Sequence, residues 1–328
     1  LVGSEMCIRD RSMPDILITE DITGEPIDEL AKQFDVVRRG DLWRIPEELK
    51  STVRDFRALI IRNQTQVTQA VVEAGSRLEV VARAGVGLDN VDVQAASHAG
   101  VTVVFAPEQN SISVAELTLG LMLSLARKIP GADRSTKAGG WERKLYTRVE
   151  LYGKTLGVLG LGRIGYRTAV RAKAFGMDVV AHDDYIHPDS VATSELRARL
   201  VTVDELLQSS DFVSCHLPLT DETRGFFDYD TLCQMKPSAF FVNTSRGEVV
   251  READLIRALT EERLAGAALD VREEEPPQAN ALAGMENVIL TPHIAAFARE
   301  GQQRVLASVC ADVDAVLRGV RPKNVASV

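Results

Sequence analysis

Three glycines constrain this chain more than any other feature. Gly160, Gly162 and Gly165 follow an apolar run at 155–159 and open a stretch of helical spacing that reaches about residue 175. A strand, a G-x-G-x-x-G turn and a helix, in that order, make a phosphate site. The first glycine permits the tight turn, the second lets backbone approach a pyrophosphate, and the third lets the helix pack on the strand. Arg163 and Ile164 then begin a helix whose N–H groups and positive dipole end favour an anion. A second apolar run, 178–182, ends in Asp183, 23 positions after Gly160. A carboxylate at that strand tip accepts hydrogen bonds from an adenosine ribose and repels a 2′-phosphate, so the expected cofactor is NAD.

Around this turn the chain alternates short apolar runs with amphipathic stretches. Strands are expected at 15–19, 35–37, 58–61, 78–82 and 101–105, with helices at 27–34 and 66–74. Further strands are expected at 211–216, 239–243, 265–270 and 287–290, with a helix at 252–261. Continuous apolar strands between helices predict parallel sheets covered on both faces. A Leu/Ala-rich helix at 113–128 is apolar nearly all round and is expected to be buried, between domains or in a subunit interface. It should end before Pro130-Gly131, and 137–149, with Trp141 and Tyr146, reads as a loop or arm. A last helix, 299–318, should pack back on the first domain. The fold class is therefore α/β, with a Rossmann-type dinucleotide-binding domain (108–296) inserted into a flavodoxin-like α/β substrate-binding domain (13–107 and 297–328). Residues 1–12 match nothing in this pattern and read as a leader or artefact.

The 328 residues suffice for two domains, and 45% apolar with 26% charged residues is a soluble globular composition. A net charge of −9 argues against a nucleic-acid or anionic-membrane partner, and no apolar run approaches a membrane span. Cys7, Cys215, Cys233 and Cys310 are scattered, which favours reduced thiols in a cytoplasmic protein over disulfides or a metal site.

Ligands of open parallel sheets bind beyond the carboxyl ends of the strands. Polar residues fall there at Arg62 and Asn63, at Arg83 with Gly85 and Gly87, at Asn243 to Gly247, at Asp270, and at Thr291-Pro292-His293. Arg246 can present a fork to a carboxylate. His293 can accept or return the proton that accompanies hydride transfer. One of Glu273, Glu274 and Glu275 can pair with it, orienting the ring and stabilising the imidazolium; spacing alone does not choose among them.

The ordered set Gly160-Leu161-Gly162-Arg163-Ile164-Gly165, Asp183, His216-Leu217-Pro218-Leu219-Thr220, Asn243-Thr244-Ser245-Arg246-Gly247, Ala268-Leu269-Asp270-Val271, Glu275-Pro276-Pro277 and Thr291-Pro292-His293 resembles the D-isomer-specific 2-hydroxyacid dehydrogenases. The resemblance runs from about residue 13 to 318. It implies that Arg246 binds the substrate carboxylate and carbonyl, that His293 is the acid/base and that Glu275 is its partner. It places Thr244, Asp270 and Ala295 along the nicotinamide. His216, Leu217, Pro218, Thr223, Ser245 and His293 also fall at cofactor positions. Residues 59–62, 81–92, 110–111 with 115–116, and 141–144 are most similar to the branch that oxidises D-3-phosphoglycerate. There Arg62 and Arg83 match positions facing the substrate phosphate, with Val86, Gly87, Asn110 and Arg246 completing the substrate set. The resemblance further implies a homodimer.

Three features depart from the family pattern. Ala296-Phe297-Ala298 follows the histidine and would narrow or dry the pocket, Val86 stands where a threonine can occur, and Asp184 where a proline is common. The chain stops soon after its last helix, and no regulatory domain is expected. The sequence thus reads as an NAD-dependent oxidoreductase of a D-2-hydroxyacid, D-3-phosphoglycerate or a similar anionic acid. The alternatives are a glyoxylate/hydroxypyruvate reductase or sulfolactate-type dehydrogenase and, from another class, an NAD-sensing corepressor-like binding protein.

Overall fold

A computed structural model describes residues 13–187 and 190–327; the expected leader and Cys7 lie outside the described residues. The chain divides into two compact units, one running to Asn110 and resuming at Arg299, the other spanning Ser111–Ala298.

The first unit is built on five parallel strands: β1 (Ile16–Ile18), β2 (Val36–Arg38), β3 (Ala58–Ile61), β4 (Val80–Arg83) and β5 (Thr102–Phe105), in the order β2-β1-β3-β4-β5. That is the flavodoxin-like order. Alternation sends successive side chains to opposite faces. Ile16, Ile18, Ala58, Ile60, Val80 and Ala82 enter one core, and Leu17, Leu59, Ile61 and Val81 the other. The helix Arg299–Leu317 covers the first face through Val305, Leu306, Val309, Val313 and Leu317, so the last helix does return to the first domain. Residues 324–326 then run antiparallel to the β5 edge, with a Val104–Val325 bridge.

The second unit has seven parallel strands: β6 (Thr155–Leu159), β7 (Asp178–His182), β8 (Arg199–Leu200), β9 (Phe212–Cys215), β10 (Phe240–Asn243), β11 (Gly266–Leu269) and β12 (Val288–Leu290). Their order, β12-β11-β10-β9-β6-β7-β8, is doubly wound about β6, with the switch point between β6 and β9. Val213, Phe241, Ala267 and Leu269 face one core; Leu156, Val158, Phe212, Val242 and Ala268 face the other.

One expectation needs correction. The Leu/Ala-rich helix, observed as Ser111–Arg127, is buried within the second unit. Leu119, Met122, Leu125 and Ala126 pack with Leu156, Val158, Ala169 and Ala172 against that unit's own sheet. The helix ends before Pro130-Gly131, as expected. Lys128 breaks the helix with φ 54°, and a second helix, Ile129–Lys137, starts with Pro130 in its first turn, where a missing N–H costs nothing. No helix among the described residues is long and apolar enough to cross a membrane.

Candidate active site

Each sheet gathers its chemistry-bearing residues at the carboxyl ends of its strands. In the second unit β6 ends at Leu159, and Gly160 turns the chain with φ 89°. A Cβ on Gly160 would lie 2.9 Å from the His216 carbonyl oxygen, and one on Gly165 would lie 2.1 Å from the Gly160 carbonyl oxygen. Helix and turn therefore touch backbone to backbone. Gly162 behaves differently. It caps the helix Arg163–Ala174 without a side-chain hydrogen bond, and a Cβ there would enter open space. The turn is closed where packing demands it and open where a pyrophosphate would approach.

Asp183 follows β7. Its Oδ2 accepts the Leu161 N–H at 2.7 Å and its Oδ1 the Tyr185 N–H at 2.9 Å. Each oxygen keeps a second lone pair for a ribose hydroxyl. His216 follows β9 at the switch point. Its Nε2 lies 2.8 Å from the Ser214 hydroxyl, while Nδ1 is buried without a hydrogen-bond partner among the described residues. Burial pushes this imidazole down to about 4, so it is neutral near pH 7. An orphaned ring nitrogen there suits a ligand that brings its own polar groups. Leu217 packs on the core, and the Thr223 hydroxyl donates to the Pro218 carbonyl at 2.7 Å and accepts the Thr220 N–H at 2.8 Å, shaping the loop that follows. The glycine turn, Asp183 and His216 together fit a dinucleotide.

Arg246 sits on the loop after β10. Asn243, wholly buried, shapes that loop: its Oδ1 accepts the Ser245 N–H at 3.0 Å and the Ser245 hydroxyl at 2.8 Å, and its Nδ2 donates to the Arg246 carbonyl at 2.9 Å. The Thr244 and Thr118 hydroxyls lie 2.9 Å apart, tying the loop to the helix Ser111–Arg127. The half-buried Arg246 guanidinium donates to the Ser245 carbonyl through Nη1 at 2.8 Å.

His293 follows β12 with φ 53°, a left-handed conformation uncommon outside glycine. Asp270, 1% exposed, holds it there. The His293 N–H donates to the Asp270 carbonyl at 2.8 Å, and the Asp270 carboxylate accepts the Thr291 hydroxyl at 2.6 Å, the Ile294 N–H at 2.9 Å and the Ala295 N–H at 2.8 Å. So Asp270, expected along the nicotinamide, spends its carboxylate on the His293 loop. Of the three glutamates, Glu275 meets the histidine, with Oε2 2.7 Å from His293 Nδ1; Glu273 accepts the Glu252 N–H at 2.9 Å, and Glu274 is exposed. Burial pushes the Glu275 carboxyl up. The hydrogen bond and charge of His293, the Arg272 N–H and the Arg246 charge outweigh that and hold it below the usual carboxylate range. Ala295 is buried, whereas Phe297 is 53% exposed.

In the first unit Arg62 follows β3, Arg83 ends β4 and Asn110 follows β5. A second buried carboxylate does there what Asp270 does in the other unit. Glu20, 4% exposed, accepts the N–H groups of Arg62, Gln64 and Thr65 at 2.8, 3.1 and 3.0 Å, and Asn90 Nδ2 donates to the Arg62 and Thr65 carbonyls. The Arg83 guanidinium folds over Gly85, where a Cβ would lie 1.4 Å from Nη1, and Val86 and Gly87 are half-buried beside it. Burial lowers the Arg62 guanidinium's pKa, partly offset by Glu20 and Asp21. Asn110 is buried, its Oδ1 without a hydrogen-bond partner among the described residues.

Sequence reasoning passed over Ser214, Glu20, Asn90, Thr118, Glu252 and Arg272. Each acts by a contact distant in sequence, or by burial, and carries no motif. Only Ser214, two residues before His216 and hence on the same strand face, left a readable signal.

Comparison with known proteins bears on the whole arrangement. The family described as "D-isomer specific 2-hydroxyacid dehydrogenase, NAD binding domain" matches residues 119–295. The D-3-phosphoglycerate dehydrogenase of Methanocaldococcus jannaschii is 44% identical over 316 residues, covering 96% of this chain and 60% of that protein. This chain therefore spans less than two thirds of that relative's length. Among solved structures, the TT0316 protein of Thermus thermophilus superposes with a TM-score of 0.90 at 33% identity, covering 95% of this chain and 100% of that one. A glyoxylate reductase of Paecilomyes thermophila reaches 0.84 at 29% identity, covering 95% and 98%. The chain belongs to the D-isomer-specific 2-hydroxyacid dehydrogenase family and carries its NAD-binding domain.

Proposed function

We propose that this chain catalyses NAD-dependent interconversion of a D-2-hydroxyacid and its 2-oxoacid, with D-3-phosphoglycerate as the leading substrate. The carrying observation is the 2.7 Å contact between His293 Nδ1 and Glu275 Oε2 on a loop locked by Asp270. With Nδ1 bonded to the carboxylate, Nε2 is the nitrogen that takes the C2 hydroxyl proton during oxidation and returns it during reduction. Glu275 stays ionised and stabilises the imidazolium. Arg246 holds the substrate carboxylate in a two-point grip that fixes C2. NAD, when bound, supplies the hydride acceptor; Gly160, Gly162 and Gly165, the start of the helix at Arg163 and Ile164, Asp183 and His216 would hold it, with Thr244, Ser245 and Ala295 toward its nicotinamide half. Arg62 and Arg83 would take the substrate phosphate, with Val86, Gly87 and Asn110 beside them.

The reading includes a homodimer, for which exposed Ile129, Trp141, Leu145 and Tyr152 supply apolar surface, and a cytoplasmic location, for which free Cys215, Cys233 and Cys310 speak. Sedimentation tests the first. The reaction is tested by following NADH oxidation with 3-phosphohydroxypyruvate, hydroxypyruvate, glyoxylate and sulfopyruvate. The fastest turnover is expected with the phosphorylated acid. A preference for glyoxylate would make it a reductase of the kind named for the Paecilomyes structure, and a preference for hydroxypyruvate a hydroxypyruvate reductase. NADH binding without turnover on any of the four would favour the cofactor-sensing alternative.

A further inference from the structure

Between Asp270 and Glu275 lies an arginine buried against a glutamate. The Arg272 side chain is 9% exposed and Glu252 11%, and they meet at two points, Nε to Oε1 at 2.7 Å and Nη2 to Oε2 at 2.8 Å. Glu252 opens the helix Glu252–Thr260. Its carboxylate also accepts the Glu273 N–H at 2.9 Å and Asn280 Nδ2 at 2.8 Å, while Glu273 Oε2 accepts the Glu252 N–H at 2.9 Å. Both ends of the 272–280 loop are thereby tied to one helix start.

Glu275 belongs to that tied loop. Its Oε1 accepts the Arg272 N–H at 3.0 Å, which leaves Oε2 for His293. On its other side the Arg272 carbonyl oxygen abuts Gly247, the neighbour of Arg246; a Cβ on Gly247 would lie 1.8 Å from it. One residue's backbone therefore touches both the Arg246 loop and the Glu275 carboxylate. Apolar packing can close a loop as stably as a buried ion pair. It does not supply the planar two-point fix that an arginine–carboxylate fork gives.

We propose that Arg272 is a positioning residue for the reaction: its fork with Glu252 fixes the peptide N–H that holds Glu275, and so sets how Glu275 meets His293. The proposal rests on reading Glu275 and His293 as the acid/base pair. The charged groups around Glu275 are His293, Arg246 and Arg272, so a displaced loop alters all three distances together.

Arg272→Met keeps the reach and loses both donors; Arg272→Lys keeps the charge with a single point of contact. In Arg272→Met shown folded by thermal unfolding, NADH affinity should stay within about twofold while kcat falls roughly ten- to a hundredfold. The acid limb of its pH–rate profile should move upward, because the carboxyl of Glu275 is no longer held low, and Arg272→Lys, which keeps one of the two contact points, should recover only part of the lost kcat. Carbon-13 NMR of the Glu275 carboxyl, assigned through Glu275→Gln, reads the same displacement without turnover: its midpoint should rise in Arg272→Met. Unchanged kcat with an unmoved Glu275 midpoint overturns the proposal, as does a change confined to thermal stability. If Arg272→Met does not fold, Arg272→Lys and Glu252→Gln carry the NMR test, and an unmoved midpoint in both overturns it. A wild-type chain inactive on every 2-oxoacid, yet with a midpoint that moves in Arg272→Met, would sink the dehydrogenase reading and leave the positioning role standing.

Discussion

The Glu275 carboxylate is held ionised beside His293. Desolvation alone would protonate it more readily; the imidazole, the Arg272 N–H and the Arg246 charge reverse that. Glu275→Gln keeps the shape and removes the charge, so kcat should fall by about a hundredfold with little change in NADH affinity, read by steady-state kinetics and fluorescence titration. His216 predicts a pH effect on stability. Its folded value is near 4 and its ordinary value 6.5, so between them the unfolded chain takes up a proton that the folded chain refuses. Stability from this residue is complete above 6.5 and declines as pH drops toward 4. His216→Gln should flatten the fall of Tm across that window; parallel curves for the two proteins would count against it. Asp183, Arg246 and His293 were legible in the sequence because each follows an apolar run that marks a strand end. Which of three adjacent glutamates turns inward was not, because that choice depends on Glu252, 20 residues before Arg272. Nor was the burial of His216, which depends on packing around the switch point.

At the scale of elements, the glycine turn separates packing from binding. An added methyl at Gly162 meets nothing, whereas one at Gly165 meets the Gly160 carbonyl oxygen at 2.1 Å. Gly162→Ala should therefore leave Tm nearly unchanged and raise the NADH Kd at least about tenfold, a loss near 1.4 kcal/mol. Gly165→Ala should lower Tm as well, through about 1–3 kcal/mol of destabilisation from overpacking. Equal Tm losses in the two variants, measured by calorimetry, would remove the distinction. Strand positions were readable to within one or two residues because buried parallel strands are continuous apolar runs. The helix Ile129–Lys137 was not, since Pro130-Gly131 signals a stop and equally a first turn, and the choice fell to the left-handed Lys128. β8 was missed for a simpler reason. At two residues, Arg199–Leu200, it carries no alternation to read.

In the whole molecule, two parallel sheets use one device: a buried carboxylate bracing a loop beyond the strand ends, Glu20 for 62–65 and Asp270 for 291–295. The parallel α/β class of both units followed from the alternation of elements, but these braces did not, because a carboxylate's partners are invisible until the chain is folded. If Arg62 and Arg83 take a phosphate, alanine at either should raise KM for 3-phosphohydroxypyruvate roughly tenfold or more and leave KM for hydroxypyruvate nearly unchanged. Equal effects on both acids would assign the arginines to structure. The central claim, proton transfer at His293 coupled to hydride transfer, is tested most directly by NADH oxidation across the four 2-oxoacids in wild type and His293→Ala. The account predicts NADH-preferring turnover in wild type, and a loss of about two to four orders of magnitude in a folded, NADH-binding variant. Turnover in His293→Ala within a fewfold of wild type would contradict it.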